Sequence, residues 1–213
     1  DVGQRAGVGE VRLRDQRVEQ LTVELQAQRV VLESTVPLDL ADGRAVPASA
    51  RFDRLKTTAR WTMRGEEWQL QVPELEIGQA GGSASLGGLR ARGGDRLAIV
   101  ADELDLAPVA ALLSLSDRLP PRLRSFLSQA RPTAVLHEVS VHRLPNGALR
   151  GSARVSGLVL QPHDKQPGVH GVSGALRFDA RGGAFTFAPG TVRVDWPVGL
   201  RQPLDMSLRG TVA

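Results

Sequence analysis

The chain has 213 residues, 27 basic against 23 acidic, and neither cysteine nor tyrosine. Without cysteine, disulfides and thiolate metal sites are excluded. All but two of the basic residues, Lys56 and Lys165, are arginine. They are scattered among apolar residues with no RNP-type aromatic motif beside them, so they read as compositional bias and not as a nucleic-acid face.

If compact, a chain of this length would hide roughly 70% of its unfolded surface, and an open curved sheet would hide less. The first ten residues lack the apolar core of a signal peptide. The longest apolar run, Ala107–Leu113, falls far short of the ~20 residues needed to span a bilayer. Any targeting or membrane segment is therefore expected outside this sequence.

In chain order, residues 9–33 predict two or three strands, with Val11 and Leu13, then Leu21, Val23 and Leu25, then Val30 and Leu32 alternating. Gln26–Gln28 is read as a turn between the last two. Pro37, Asp42-Gly43 and Pro47 mark a loop. Residues 49–63 fit either periodicity, but Thr57, Thr58, Trp61 and Thr62 favour strand. A hairpin turn is expected around Gly65. Beyond it Trp68, Leu70 and Val72 alternate, and Leu75 and Ile77 continue after Pro73. The glycine-rich stretch from Gly78 to Gly94 allows a short strand at most, over Ser83–Leu89. Leu97, Ile99 and Ala101 resume the alternation.

The period then changes. Asp105 can cap a helix whose first turn carries Pro108, with Leu106, Val109, Ala110, Leu112 and Leu113 at helical spacing. A second helix starts after Pro120-Pro121, runs through Leu123, Phe126 and Leu127, and ends before Pro132. The pair forms a helical hairpin over about 105–130, expected to cover the open end or the apolar face of a sheet.

The sheet resumes at Thr133–Arg143, with Val135, His137, Val139 and Val141 placed on one face. Asn146-Gly147 signals a two-residue hairpin. After the loop QPHDKQPGVHG, the last forty residues read as four short strands cut by Gly and Pro. Val172, Leu176, Phe178, Val192, Val194, Trp196, Leu204, Met206 and Leu208 are expected to share one apolar face.

No spacing supports a catalytic centre or a cofactor. His137 and His142, five apart in one strand, are expected on opposite faces. His163-Asp164 and His170 lack metal-ligand spacing. Gly171-Val172-Ser173-Gly174 only approaches a nucleophile elbow, so Ser173 reads as an ordinary turn or edge serine. Gly81-Gly82-Ser83 lacks the Lys and the helix of a phosphate loop. Asp102, Glu103 and Asp105 are explained by capping and the helix dipole. What remains is amphipathic sheet. Periodicity alone does not separate an open apolar groove from a sealed sandwich, because both need the same alternation.

Three stretches carry a family resemblance. LDLAPVAALLSLSDRLPPRLRSFLSQARPTAVLHEVSV (Leu104–Val141), LVLQPHDKQPGVHGVSGALRFDARGGAFTF (Leu158–Phe187) and VRVDWPVGLRQPL (Val192–Leu204) together resemble the YhdP branch of the AsmA-like proteins of Gram-negative bacteria. Ala134 stands where a Gly is usual, Gly199 where a Leu is usual, and Leu200 where an aromatic is usual. The resemblance implies a periplasmic segment of an inner-membrane-anchored protein that moves phospholipid between the inner and outer membranes.

It also implies a mainly β chain, a twisted, curved antiparallel sheet forming an open groove, with 1–213 as a single segment of it. No catalytic motif and no cofactor come with it. The partners implied are phospholipid acyl chains. The nine apolar residues from Val172 to Leu208 are then the candidate groove lining. The other reading is a structural or assembly module of the envelope with a closed sheet.

Overall fold

The computed structural model describes the backbone of residues 4–14, 17–39, 44–79 and 82–213, and the side chains of 19–38, 44–78 and 84–213. The strands are β1 (Gln4–Arg14), β2 (Arg17–Glu33), β3 (Leu38–Asp39), β4 (Ala45–Val46), β5 (Ser49–Arg64), β6 (Glu67–Gln79), β7 (Gly82–Gly93) and β8 (Leu97–Asp105). Helices α1 (Leu106–Ser114) and α2 (Pro121–Ala130) follow. After them come β9 (Thr133–Arg143), β10 (Leu149–Leu160), β11 (Gly168–Asp179), β12 (Gly182–Asp195) and β13 (Leu204–Val212).

Apart from the small β3–β4 hairpin, the strands form one 11-stranded antiparallel sheet in the order β1-β2-β5-β6-β7-β8-β9-β10-β11-β12-β13. It is a meander: each strand pairs with its neighbour in sequence, and the sheet does not close on itself. The mainly β expectation and the open sheet therefore hold, with helix confined to one hairpin. The accessible surface is 14442 Å², against about 9,600 Å² for a compact monomer of this mass. The excess is what a sheet with little second layer should show.

Several local expectations need correction. Gln26–Gln28 is no turn: β2 is continuous to Glu33, pairing Gln26 with Lys56 and Gln28 with Arg54. The glycine-rich stretch is a full strand of 12 residues. Its Gly93 is required by a close approach, because the Trp68 ring occupies the space that a Cβ at 93 would need. Residues 182–195 are one strand through Ala188-Pro189-Gly190, so the last third holds three strands and not four. The Asn146-Gly147 turn is longer than two residues: Leu144 N donates to Ala148 O and Gly147 N to Leu144 O. The loop expected at Asp42-Gly43 lies outside the described residues; Val11 and Leu13 lie in β1 as the expected strand, with only their backbone described.

The hairpin starts as its sequence dictates. Asp105 Oδ1 accepts from Ala107 N at 3.1 Å, supplying one of the partners a helix start lacks. Pro121 opens α2, and Arg131 in the left-handed region ends it. Ala111, Leu112 and Leu115 pack on Ala50, Phe52, Ile77 and Ala84 with Val30 and Leu75. This is the one place where the sheet acquires a packed core among the described residues, and Phe52 and Ile77 are each 1% exposed there.

Candidate functional site

Residues opposite each other in an antiparallel pair share a face, so the register assigns a face to every described side chain. One face collects Leu21, Val23 and Leu25 of β2 with Trp61, Ala59 and Thr57 of β5. It continues through Leu70 and Leu75 of β6 to Ala91 and Leu86 of β7. Ile99 and Leu104 of β8 follow, then Val141 and Leu136 of β9. Ala153 and Val155 of β10 lie against Leu176 and Gly174 of β11. Phe185 and Phe187 of β12 come next, and Met206 and Val212 of β13 complete the row. From β2 to β13 this face is apolar, with Thr57 the chief exception inside the strands. The opposite face carries the cross-strand ion pairs Arg54–Glu76, Lys56–Glu76, Arg90–Asp102, Arg154–Glu138 and Arg193–Asp205.

Keeping one face apolar this far requires a device. Strict alternation fails in mid-strand. Buried Ala50 and Phe52 are even-numbered, while Leu55, Ala59 and Trp61 of the same strand turn their odd positions inward. The same rephasing separates Ala84/Leu86 from Leu89/Ala91, and Phe185/Phe187 from Val192/Val194. At or near each switch lies an irregularity. Arg29, Gly88, Glu138, Gly157 and Gly171 have φ of 52°, 63°, 52°, 63° and 83°. The register shifts between Thr57 and Arg60 and between Phe187 and Gly190.

Pro73 and Pro189 sit at two of these points, where a strand can tolerate a missing donor. Thr57 Oγ1 donates to the freed carbonyl of Glu74 at 2.9 Å. Ser173 Oγ accepts from Gly157 N at 2.9 Å, which is the work that near-elbow serine does. Bulges bend the strand that carries them and rephase its side chains. A line of them steps across the sheet, and the apolar set stays on one side throughout.

The rephasing corrects two expectations. Glu138 at φ 52° separates Ala134 and Leu136 from Val139 and Val141, so Val135 and His137 leave the apolar face. His137 and His142 consequently fall on the same, polar face: His137 pairs across to Glu103 and His142 to Arg150. Among the described residues no group of three His, Asp or Glu side chains is placed to hold a metal.

The hairpin crosses one end of the strands. On one side the buried Arg124, 3% exposed, donates to Ser114 O at 3.0 Å, Val36 O at 2.7 Å, Pro37 O at 3.4 Å and Ser34 Oγ at 3.3 Å. On the other, Gln161 N donates to Ala130 O at 2.7 Å, and Phe126 meets the His163 ring edge-on at 5.5 Å. It thus ties the end of β2 to the end of β10 over the apolar side. Elsewhere no described element covers that face.

Of the nine candidate lining residues, Val172 and Val192 are buried, while Leu176, Phe178, Val194, Met206 and Leu208 are half-buried and Leu204 is exposed. The register brings these eight to the apolar face. Trp196 stands apart: β12 ends at Asp195, and the indole Nε1 donates to Lys165 O at 2.9 Å in the β10–β11 loop. Phe185 and Phe187, packed edge-to-face at 4.9 Å, belong to the face although simple alternation does not single them out. Their odd numbering clashes with Val192 and Val194 unless the Ala188-Pro189-Gly190 rephasing is allowed for. Gly151 belongs too, with the Phe178 ring lying over it, 2.5 Å from where a Cβ at 151 would stand.

No helix among the described residues is long and apolar enough to cross a membrane. No curated protein and no solved structure matches the chain. The profile of the family described as YhdP protein matches residues 3–213, which is nearly the whole sequence and includes the N-terminal strands that the three resembling stretches left out. The chain belongs to the YhdP family.

Proposed function

We propose that this chain is a segment of an envelope protein that binds phospholipid and conducts it between the inner and outer membranes. The acyl chains would travel on the apolar face. The observation that carries the reading is that face itself: apolar across ten strands, kept so by a line of rephasing bulges, and covered by the chain's own described residues only under the hairpin. Each CH₂ exposed to water costs about 0.8 kcal/mol, so a continuous apolar path removes most of the barrier to moving a lipid between bilayers. Carriage of this kind needs no covalent chemistry, cofactor or nucleic acid. Family membership supports placing the segment in the periplasm, attached to the inner membrane through parts outside this sequence.

The test is site-specific photo-crosslinking in cells. Groups at Val194, Leu204 and Leu208 should capture phospholipid, and groups at Arg193, Asp205 and Ser207 should not. Val194→Asp places a carboxylate in the acyl route, at a cost of several kcal/mol while ionised. That variant should fold and fail to supply lipid to the outer membrane. Capture of protein alone at all three apolar positions would replace this reading with that of a structural module.

A further inference from the structure

The hairpin divides the apolar face. α1 leaves β8 directly at Leu106 and α2 leads into β9 at Thr133, so the helices sit at one end of these strands. There Ala111, Leu112 and Leu115 pack on Phe52, Ile77 and Ala84, and Ala134 at the start of β9 is buried as well. Toward the other end of β8–β10 no described element covers the face. Val141 meets Ile99 across one ladder and Gly151 across the next, and both Val141 and Ile99 are half-buried. Acyl chains crossing this part of the sheet have that end to lie on.

The same end carries a basic side chain. Arg143 pairs with Leu97 of β8 and with Leu149 of β10, and neither ladder shifts register between Val141 and Arg143. The residue two beyond Val141 therefore stands on the apolar face with it. Among the described side chains that pair in the ladders, Arg143 is the only basic one on that face. Arg150 and Arg177, toward the same end, belong to the polar face with His142 and Ser152.

Arg143 is exposed, and no described carboxylate pairs with it. On the polar face Arg54, Arg90, Arg154 and Arg193 each have a cross-strand acid. What surrounds Arg143 is apolar instead. Leu149 beside it and Leu144 after it are 49% and 40% exposed.

An unpaired cation at the edge of an apolar row matches an amphiphile whose anionic group adjoins its chains. The guanidinium fork donates to two phosphate oxygens at once, while the arginine stem lies along apolar surface. The available length also fits. From Leu136, on the hairpin side, to Arg143, β9 runs about 20 Å. The acyl chains of one leaflet occupy about 15 Å, half the hydrocarbon thickness of a bilayer. A phosphate on Arg143 thus leaves room for its chains over Val141 and Ile99 without meeting the helices.

We propose that Arg143 binds the headgroup phosphate of a phospholipid whose acyl chains lie on the open stretch of apolar face around Val141 and Ile99. The proposal rests on the lipid-path reading and adds to it the residue that holds the headgroup.

The test uses the full chain with a photo-crosslinking group at Ile99. Phosphatidylcholine vesicles carry a trace of labelled phosphatidylglycerol or of labelled diacylglycerol with the same acyl chains. Wild type should capture phosphatidylglycerol over diacylglycerol by about fivefold, the upper end for one solvent-exposed charge pair. Arg143→Gln should bring the two tracers to within about 1.5-fold of each other, with diacylglycerol captured as well as by wild type, which is also its folding control. Arg177→Gln removes the same charge from the polar face and should keep the fivefold preference.

If Arg143→Gln keeps the wild-type ratio, or wild type captures both tracers equally, the Arg143 assignment is overturned and the lipid path stands. If Arg177→Gln lowers the ratio as far as Arg143→Gln does, the preference is general surface charge and the assignment is likewise overturned. If millimolar inorganic phosphate erases the ratio in wild type, Arg143 takes free phosphate and the headgroup assignment falls. If wild type captures neither tracer, the assignment and the lipid path are both overturned.

Discussion

Two regions of this sheet share one sequence pattern and end in different environments. Under the helical hairpin, Phe52 and Ile77 are 1% exposed and the apolar face is the inner wall of a small core. On β12 and β13 the same face leaves Leu204 48% and Val212 62% exposed. Both regions alternate apolar and polar residues, and both sit in antiparallel ladders. The difference is what lies above them. Alternation therefore specifies which face is apolar, while a separate element decides whether that face is a core or a surface free to meet something else.

The comparison can be broken most forcefully at Phe52. Phe52→Ala should destabilise by about 3–5 kcal/mol, because a fully buried ring leaves a cavity. Leu204→Ala, at the open end, should cost under about 1 kcal/mol, as an already half-exposed side chain has little burial to lose. Urea unfolding midpoints of the two variants check this, and equal losses would show that the open region is covered after all. Next comes the latch. Arg124→Ala strands the carbonyls of Ser114, Val36 and Pro37 with one fewer partner each, at about 1–3 kcal/mol. Amide exchange should quicken over Ser34–Leu38 and α2 while β11–β13 exchange as before. The smallest effect is at the cap: Asp105→Ala should cost about 0.5–2 kcal/mol, read as fraying of the first turn of α1 by amide exchange. Fraying that spreads to β12 would mean that the two regions are coupled more tightly than their separate coverings imply.

Much of this architecture is legible in the sequence, and what is not has a common cause. Thr57, Thr58 and Trp61 identify β5, and Asp105 with Pro120-Pro121 places the hairpin, because these residues act through local conformational preference. The errors fall where glycine, proline or a polar pair sits inside a strand. Ala188-Pro189-Gly190 reads as a break and is a bulge. Gln26–Gln28 reads as a turn, although Gln26 and Gln28 belong to the polar face with buried Ala27 between them. Turns and bulges draw on the same residue types, and only the partner strand distinguishes them. The candidate face suffers in the same way. A fixed period of two retrieves Val172, Leu176, Phe178, Val192 and Val194, but it leaves out Phe185 and Phe187 and puts His137 on the wrong side, because a rephasing point intervenes. The closeness of Trp68 to Gly93 and of Phe178 to Gly151 is invisible until register is known, because each pair joins residues on different strands.

The uninterrupted up-and-down order of the strands has a consequence for how such a protein can change size. Successive connections fall alternately at the two ends of the strands, so the unit of insertion or loss that restores the direction of the chain is two strands. Adding or removing a pair changes the width of the sheet by about 10 Å and leaves strand direction and the apolar side in place for everything downstream. Losing a single strand would reverse the direction of all that follow, carrying Arg150, Arg177 and Arg181 to the side of the helices. Length in this architecture is therefore quantised, and lineages can lengthen or shorten the chain by hairpins without redesigning its cross-section.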